Sequence, residues 1–344
     1  MKKSLCFTLI IALTFFTFFG CSSVNKSAKG STNKIVIYTS MYEYVIEPVK
    51  QSLQKNFPQY VIEFVYGGTG TIQARIASER ASGRLGCDIM MVAEPAYSLE
   101  LKEKGMLHPY ISKEAANLVF EYDPAGYWYP VRVSNMVLAY NPEKQSGNTV
   151  PHSFYDFAND SRVMNAISMR SPITSGTSMA AVTALRDKYG YDYFDALSKQ
   201  NIQIEYGSDT PITKLESGEN KVIMILEESI LRKRESGSKL EVIYPTDGTV
   251  MIPSTIMIIN DDWNANRNTE AAEAVTDWFL SEKGQHAIVD GWMHSVRANF
   301  PRIPFGSKST DEIRADSIPV NWSNYFNQRK EIQDRFQDYL ANRK

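Results

Sequence analysis

The sequence predicts an α/β chain: two α/β lobes joined by two crossing segments, with a C-terminal helical tail. Three observations predict it. Short, continuous apolar runs alternate with segments of helical periodicity, the pattern of buried parallel strands and their connecting helices. Two long extended stretches, Tyr127 to Asn141 and Val250 to Ile259, interrupt that alternation and read as the crossings. Several strand ends run into Ser/Thr/Gly loops that open the next helix. The expected division is 34–134 with 255–344 for the first lobe and 135–254 for the second, after a leader at 1–20 and a tether at 21–33.

Met1-Lys2-Lys3 is basic, Ser4 to Phe19 is almost unbroken apolar, and Gly20-Cys21-Ser22-Ser23 closes the run. This reads as an export signal, too short for a spanning helix with a second flank. Gly20-Cys21 resembles a bacterial lipobox, with Phe18 and Phe19 where Leu and a small residue are usual. Cys21 is therefore expected to carry a lipid, palmitate included, that anchors the chain in the cell envelope; a cleaved soluble form or a retained anchor is the alternative. Val24 to Asn33 is polar and small, as a flexible tether is. Of the three cysteines only Cys87 remains in the body, so no intramolecular disulfide is expected there, and Cys87 reads as a small core residue.

In order, Ile35 to Tyr38 reads as a strand, with a loop from Thr39 to Glu43 at its carboxyl end. Val45, Val49, Leu53 and Phe57 recur at helical spacing until Pro58 stops them. Val61 to Val65 is the second strand, and Tyr66-Gly67-Gly68-Thr69-Gly70-Thr71 opens a helix from Ile72 to Ala81. Asp88 to Val92 is the third strand, ending in Ala93-Glu94-Pro95 before a helix from about Tyr97 to Lys104. Beyond the first crossing, strands are expected at Ala166 to Met169, Ile202 to Tyr206, Val222 to Leu226 and Leu240 to Tyr244. Helices are expected at Phe154 to Ala158, Met179 to Leu185 and Tyr191 to Lys199; Pro211 marks the first turn of another and Glu227 opens the next. After the second crossing come helices at Thr269 to Leu280 and Glu282 to Val289. An amphipathic tail from Trp322 to Leu340 ends the chain.

A net charge of −2 over 344 residues, with no basic run of five or more, speaks against nucleic acid as a partner. No Gly-x-Ser-x-Gly elbow, His-Glu-x-x-His pair or Walker loop is present, so binding without turnover is expected. Glu94 with Glu227 is the one carboxylate pair that suggests glycoside hydrolysis, at a separation the sequence does not fix. His108, His152, His286 and His294 lack metal-ligand spacing and read as structural.

In open α/β sheets ligands lie at the carboxyl ends of the strands. The loops there offer Ser40, Tyr42, Gly68, Thr69 and Glu94, and the first crossing offers Arg132. In the second lobe Thr174-Ser175-Gly176-Thr177-Ser178 stands between a strand and a helix. Free backbone N–H groups, hydroxyls and the helix dipole suit an anion there. Alone, such a loop is more often a plain cap; its place opposite Ser40, Thr69 and Glu94 favours an anion site. Each remaining candidate has a structural reading too. Glu227 and Glu228 suit the first turn of a helix as acids, and Asp209 suits an N-cap before Thr210-Pro211. Arg132 suits an ion pair, Glu94-Pro95 a strand-to-helix corner, and Tyr42 packing at the rim.

Several stretches recur in a familiar order: Ile35-Val36-Ile37-Tyr38-Thr39-Ser40, Tyr66 to Thr71, Cys87 to Pro95, Met251-Ile252-Pro253-Ser254, and Asp277-Trp278-Phe279-Leu280-Ser281-Glu282-Lys283-Gly284-Gln285. Together they resemble the solute-binding lipoproteins of bacterial ABC importers. The chain is most similar to the branch of ferric-iron-, phosphonate- and sugar-phosphate-binding proteins, from Lys34 to about Val289. The resemblance implies a type II periplasmic-binding-protein fold, a ligand in mid-cleft, delivery to an ABC permease, a monomer and no cofactor. It matches Glu94 to the Glu that ends the third strand in ferric binders, and Ser175-Gly176-Thr177 to their anion-holding helix start. Their frequent His position holds Ser40 and Tyr42 here, and their iron-gripping Tyr pair falls at Glu227-Glu228.

Two ligands follow. An organophosphate, phosphonate or sugar phosphate would set its phosphate on Ser175, Gly176, Thr177 and Ser178, with Ser40, Thr69 and Arg132 beside it. Glu94, Asp209 and Glu227 would meet its other end. Alternatively, Fe(III) with a companion anion would take oxygens from Tyr42, Glu94, Glu227 and Glu228. The departures from the ferric pattern favour the phosphate-bearing ligand.

Overall fold

The computed structural model describes residues 33–341. The expected leader, Cys21 and all of the tether but Asn33 lie outside the described residues. Lys34–Thr39 (β1) is followed by Glu43–Asn56 (α1), Val61–Tyr66 (β2), Thr69–Ala81 (α2), Ile89–Ala93 (β3) and Ala96–Glu103 (α3). β1 pairs in parallel with both β2 and β3. After a two-residue strand, Leu107–His108 (β4), comes the first long crossing, Tyr129–Tyr140 (β5).

The next stretch repeats the alternation: Phe154–Asn159 (α4), Ile167–Arg170 (β6), Gly176–Tyr189 (α5), Asp192–Lys199 (α6), Gln203–Glu205 (β7) and Asp209–Ser217 (α7). Val222–Leu226 (β8), Glu227–Glu235 (α8) and Glu241–Ile243 (β9) complete it. β6 pairs in parallel with β7 and β8. The second crossing, Val250–Ile259 (β10), leads to Thr269–Leu280 (α9), Glu282–Asp290 (α10), Thr310–Ala315 (α11) and Trp322–Ala341 (α12).

One sheet runs through the molecule in the order β2-β1-β3-β10-β5-β8-β6-β7. β10 and β5 lie side by side at its centre, antiparallel to each other and to their outer neighbours β3 and β8. Each crossing strand thus serves both halves of the sheet, which is why both are buried along nearly their whole length. Helices cover both faces. β3 and β8 are buried at every residue, so the carboxyl ends of strands in the two halves are the places where polar side chains can meet.

The crossing pair has a bulge. Register shifts between Ser254 and Thr255, opposite Arg132 and Pro130, leaving Val131 as the extra residue. Gln285 of α10, fully buried, donates Nε2 to the Val131 carbonyl and to the Phe279 carbonyl, both at 2.8 Å. Its Oε1 accepts from Ser295 Oγ at 2.8 Å and from Val296 N–H at 2.9 Å.

α12 buries Tyr325, Ile332 and Phe336, three positions on one helical stripe. Phe336 meets Phe194 of α6 edge-on at 5.1 Å, and the helix also packs on α3 and α5. Each such side chain, taken fully out of water, stabilises by about 1.5–3 kcal/mol. The sequence reading did not include β4 or α11. The latter begins with a capping box, Ser309 with Glu312, whose Ser-x-x-Glu spacing is a recognisable start signal.

Candidate functional site

The strand ends and the crossing strands meet at a small cavity of about 20 Å³. Ser40 and Tyr42 enter it from the loop after β1, and Tyr66 from the last position of β2. Gly68 and Thr69 open α2 at its edge, and Ala93 ends β3 there. Arg132 and Ser134 reach it from β5; two residues apart, they share a face of the strand. From the other half come Arg170 at the end of β6, Ser175, Gly176 and Thr177 at the start of α5, and Leu226 and Glu228 where β8 turns into α8.

The wall is electropositive for three reasons. The N-termini of α2 and α5 both open on the cavity, and helix N-termini carry unpaired N–H donors and positive potential. Arg132, 3% exposed, donates Nη1 to Ser134 Oγ at 3.2 Å and to Met293 Sδ at 3.3 Å, while its Nε has no partner. Arg170 donates Nη1 to the Tyr42 hydroxyl at 3.1 Å, and its Nε too has no partner. These hydrogen bonds go to neutral groups, so the ion-pair reading of Arg132 is not what the structure shows. Thr69 Oγ1, on a residue 1% exposed, is also without a partner.

Ser175 is the N-cap of α5. Its Oγ accepts the Ser178 N–H at 3.2 Å and lies 3.0 Å from Thr177 Oγ1. Glu228 is the carboxylate in the wall. Burial pushes its carboxyl up to about 7, with Arg132 drawing it back, and Ser134 Oγ donates to it at 2.8 Å.

The structure brings Ser40, Tyr42, Gly68, Thr69, Arg132, Ser175, Gly176, Thr177 and Glu228 together at this cavity. Four expected site residues lie elsewhere. Glu94 has a left-handed backbone, φ 71°, which turns its side chain away from the cavity; it is fully buried and Oε2 accepts the Tyr97 N–H of α3 at 3.2 Å. Burial pushes its carboxyl up to about 8, against the pull of Arg329. Glu227 precedes Glu228 on the first turn of α8 and so points about 100° away. It accepts from Asn135 Nδ2 at 3.0 Å, from Ser307 Oγ at 2.7 Å and from the Tyr244 hydroxyl, and lies 2.9 Å from His294 Nε2. Burial alone would raise it, but these bonds and His294 hold its carboxyl below the ordinary value. Asp209 is neither a cleft residue nor a cap: its side chain is 83% exposed, 3.7 Å from Arg232. The Ser178 side chain is buried outside the lining.

Glu94 and Glu227 both turn away from the cavity, so the four expected iron ligands do not converge, nor does the Glu94–Glu227 pair face a substrate there. Among the described residues no group of three or more His, Cys, Asp and Glu side chains is placed to hold a metal ion. The four histidines lie off the cavity. His108 meets Glu273 at 2.8 Å and His152 the Gly147 carbonyl at 3.0 Å. His286 packs on Phe300, and His294 sits between Glu227 and Thr310.

Tyr66, Ala93, Ser134, Arg170 and Leu226 line the cavity and were not among the expected residues. A signal for two of them was present: Tyr66 and Arg170 are the last residues of their strands, the place where ligand contacts gather.

The fold is shared with solved periplasmic binding proteins. AfuA from Actinobacillus pleuropneumoniae, solved with exogenous fructose-6-phosphate bound, is 21% identical with a TM-score of 0.77, over 90% of this chain and 99% of that one. Iron-bound HitA from Pseudomonas aeruginosa is 19% identical with a TM-score of 0.76, over 89% and 99%. The periplasmic binding protein P5PA is 20% identical with a TM-score of 0.71, over 90% and 99%. These likenesses establish a type II periplasmic-binding-protein fold. No curated protein matches the sequence. The profile of the bacterial extracellular solute-binding proteins matches residues 87–323, more than half of the chain, and so this chain belongs to that family.

Proposed function

We propose that this chain captures a small phosphate-bearing anion, an organophosphate, phosphonate or sugar phosphate, and hands it to an ABC permease in the membrane. The observation that carries the reading is the set of unpartnered groups at the cavity: Thr69 Oγ1, Arg132 Nε and Arg170 Nε, between two helix N-termini. Buried polar groups are ordinarily paired. A phosphate group offers three acceptor oxygens and negative charge, which would complete these donors at once. Glu228 would meet a hydroxyl or amino group of the ligand, since an ionised carboxylate only accepts.

The lobes of this reading divide where β5 and β10 pass between the half-sheets, near 134/135 and 254/255. Ligand bridging the two half-sheets favours the closed form by its extra contacts. The leader and Cys21 support export and a lipid anchor in the cell envelope, and the chain acts as a monomer. Calorimetry with fructose 6-phosphate, inorganic phosphate and ferric citrate tests the ligand class. Heat with the phosphate-bearing probes is the expected result. Binding of ferric ion with a phenolate-to-iron absorption band, and no affinity for either phosphate probe, overturns it.

A further inference from the structure

α12 lies across both halves of the sheet, but its two sides are not held alike. Toward α5 and α6 it is tied by polar bonds: Arg186 Nη1 to Gln328 Oε1 at 2.8 Å, the Tyr191 hydroxyl to Glu331 at 3.1 Å, and Ser198 Oγ to the Tyr339 carbonyl at 2.7 Å; Arg186 Nη2 meets Asp187 at 3.0 Å, and among the described residues only its Nε has no partner on this side. Phe194 packs between Phe336 and Tyr339, at 5.1 and 6.2 Å. Toward β3 and α3 no hydrogen bond joins the helix among the described residues. Instead four polar atoms lie buried there without partners: Gln73 Nε2, Glu94 Oε1, Tyr325 OH and Arg329 Nε. Arg329 approaches the Tyr325 hydroxyl and Glu94 without closing a bond of good geometry. A groove lined by Gln73, Arg80, Tyr97, Glu100 and Arg329 opens along this contact.

We propose that α12 is a clasp: although it follows the chain's return to the first lobe at 254/255, it packs on α5 and α6, travels with the β6–β8 half of the molecule and shuts against the Glu94–α3 corner of the other half when the cleft closes. The α5–α6 side is bonded as a permanent interface is. The α3 side has the character of a surface that spends time in water, because no hydrogen bond crosses it among the described residues and four of its buried polar atoms lack partners. Closing strips water from Glu94 and Arg329, and both desolvating the guanidinium and burying or protonating the carboxylate are unfavourable. The free cleft is therefore held open, and ligand contacts supply what closure needs. The seam is one residue from the cavity: Ala93, next to Glu94, lines it and donates its N–H to Ser40 Oγ at 3.0 Å.

The inference rests on hinged capture as proposed above, and it is tested on the full chain by two pairs of spin labels at exposed positions. One pair, Lys104→Cys with Lys330→Cys, spans α3 and α12. The other, Asp192→Cys with Asp338→Cys, spans α6 and α12. Fructose 6-phosphate is the probe. It is expected to shorten the first separation and leave the second unchanged. A change in the second with the first constant, or no change in either on binding, overturns the clasp. If no probe binds, the anion reading fails on its own. The clasp is then decided in free protein, where the first separation should have two populations and the second one; a single population in both rejects it. The paired variant Glu94→Gln with Arg329→Met removes both charges and keeps the stems. It should move the free protein toward the short separation and tighten fructose 6-phosphate about tenfold, as raising the binding-competent fraction does. An unmoved distribution also overturns the proposal.

Discussion

Gly70 abuts Ile173 across the cleft: a Cβ on Gly70 would stand 2.7 Å from the Ile173 carbonyl oxygen, closer than side chains approach. The same holds at Gly68, 2.6 Å from the Thr174 carbonyl oxygen, and at Gly176, 2.7 Å from Thr69 Oγ1. These glycines let the first turns of α2 and α5 meet backbone to backbone. Two helix N-termini can then act on one anion, which neither could enclose alone.

Gly70→Ala should separate closure from ligand contact, because Gly70 does not line the cavity. It is the second residue of α2, where alanine suits the helix better than glycine by roughly 0.5–1 kcal/mol. Thermal melts of free protein should therefore show no loss of stability. Affinity for a phosphate ester should fall by about tenfold or more, since the variant cannot shut without displacing the Ile173 backbone. Calorimetry giving wild-type affinity would show that binding does not need this contact.

The anion site is tested at Arg170 and Thr177. Arg170→Gln removes a charged donor from the wall, worth about 1.5–3 kcal/mol, or roughly 10–100-fold in affinity. Thr177→Asp sets a like charge at the N-terminus of α5 and should abolish binding of phosphate esters, whereas Thr177→Ser keeps a hydroxyl and should bind. Equal affinities for the Asp and Ser variants would remove the phosphate from this end of the cleft.

Much of this site could be read before any coordinates. Continuous apolar runs gave away the buried strands, and the carboxyl-end rule pointed to Ser40, Thr69 and Ser175-Gly176-Thr177. Orientation was harder. Glu94 has a left-handed backbone, φ 71°, and its carboxylate turns to the Tyr97 N–H and not to the cavity, a local geometry that no periodicity encodes. Glu227 and Glu228 are adjacent on a helix, so they cannot share a face, and helical geometry alone could have said that only one meets the cleft. Arg170 lies one residue past the strand expected at Ala166 to Met169; the structure carries that strand to Arg170, which places the side chain at its carboxyl end. The bulge that frees Val131 left no local signal, although Gln285, which answers it, lies in the stretch Asp277 to Gln285 that most strongly carried the family resemblance.

Glu94 also sets a pH dependence. Its folded-state carboxyl is pushed up to about 8 by burial, from 4.5, with Arg329 acting against the shift. Glu100 adds to the rise and the Tyr97 N–H opposes it. Between those values the folded chain holds a proton that the unfolded chain has lost. Its contribution to stability is therefore full below about pH 4.5 and is lost as pH rises to about 8. Glu228, raised to about 7, acts in the same direction over a narrower window. Glu94→Gln should flatten the decline and stabilise the chain at pH 8, on the order of 3 kcal/mol. Urea titrations at pH 5 and pH 8 read this difference directly; a variant that loses stability equally at both would assign Glu94 a packing role alone.

Gln285 joins the crossing strands to α10, and its removal should be felt far from any ligand. All four of its hydrogen-bonding directions are used: two donors on the Val131 and Phe279 carbonyls, and Oε1 on Ser295 and Val296. Gln285→Leu fills the same space but strands two carbonyls, an N–H and a hydroxyl in a fully buried site. Each stranded group costs about 1–3 kcal/mol before relaxation, so a net loss of about 3–5 kcal/mol is expected from the set. Gln285→Glu should be no better: a carboxylate can still accept from Ser295 and Val296 but faces both carbonyls without a proton to give. Because Val131 adjoins Arg132, the bulge also sets where that guanidinium enters the cleft. Urea denaturation should therefore show the full loss for both variants, and fructose 6-phosphate affinity should weaken in whatever fraction remains folded. A leucine variant with wild-type stability would mean that water replaces the amide at the bulge.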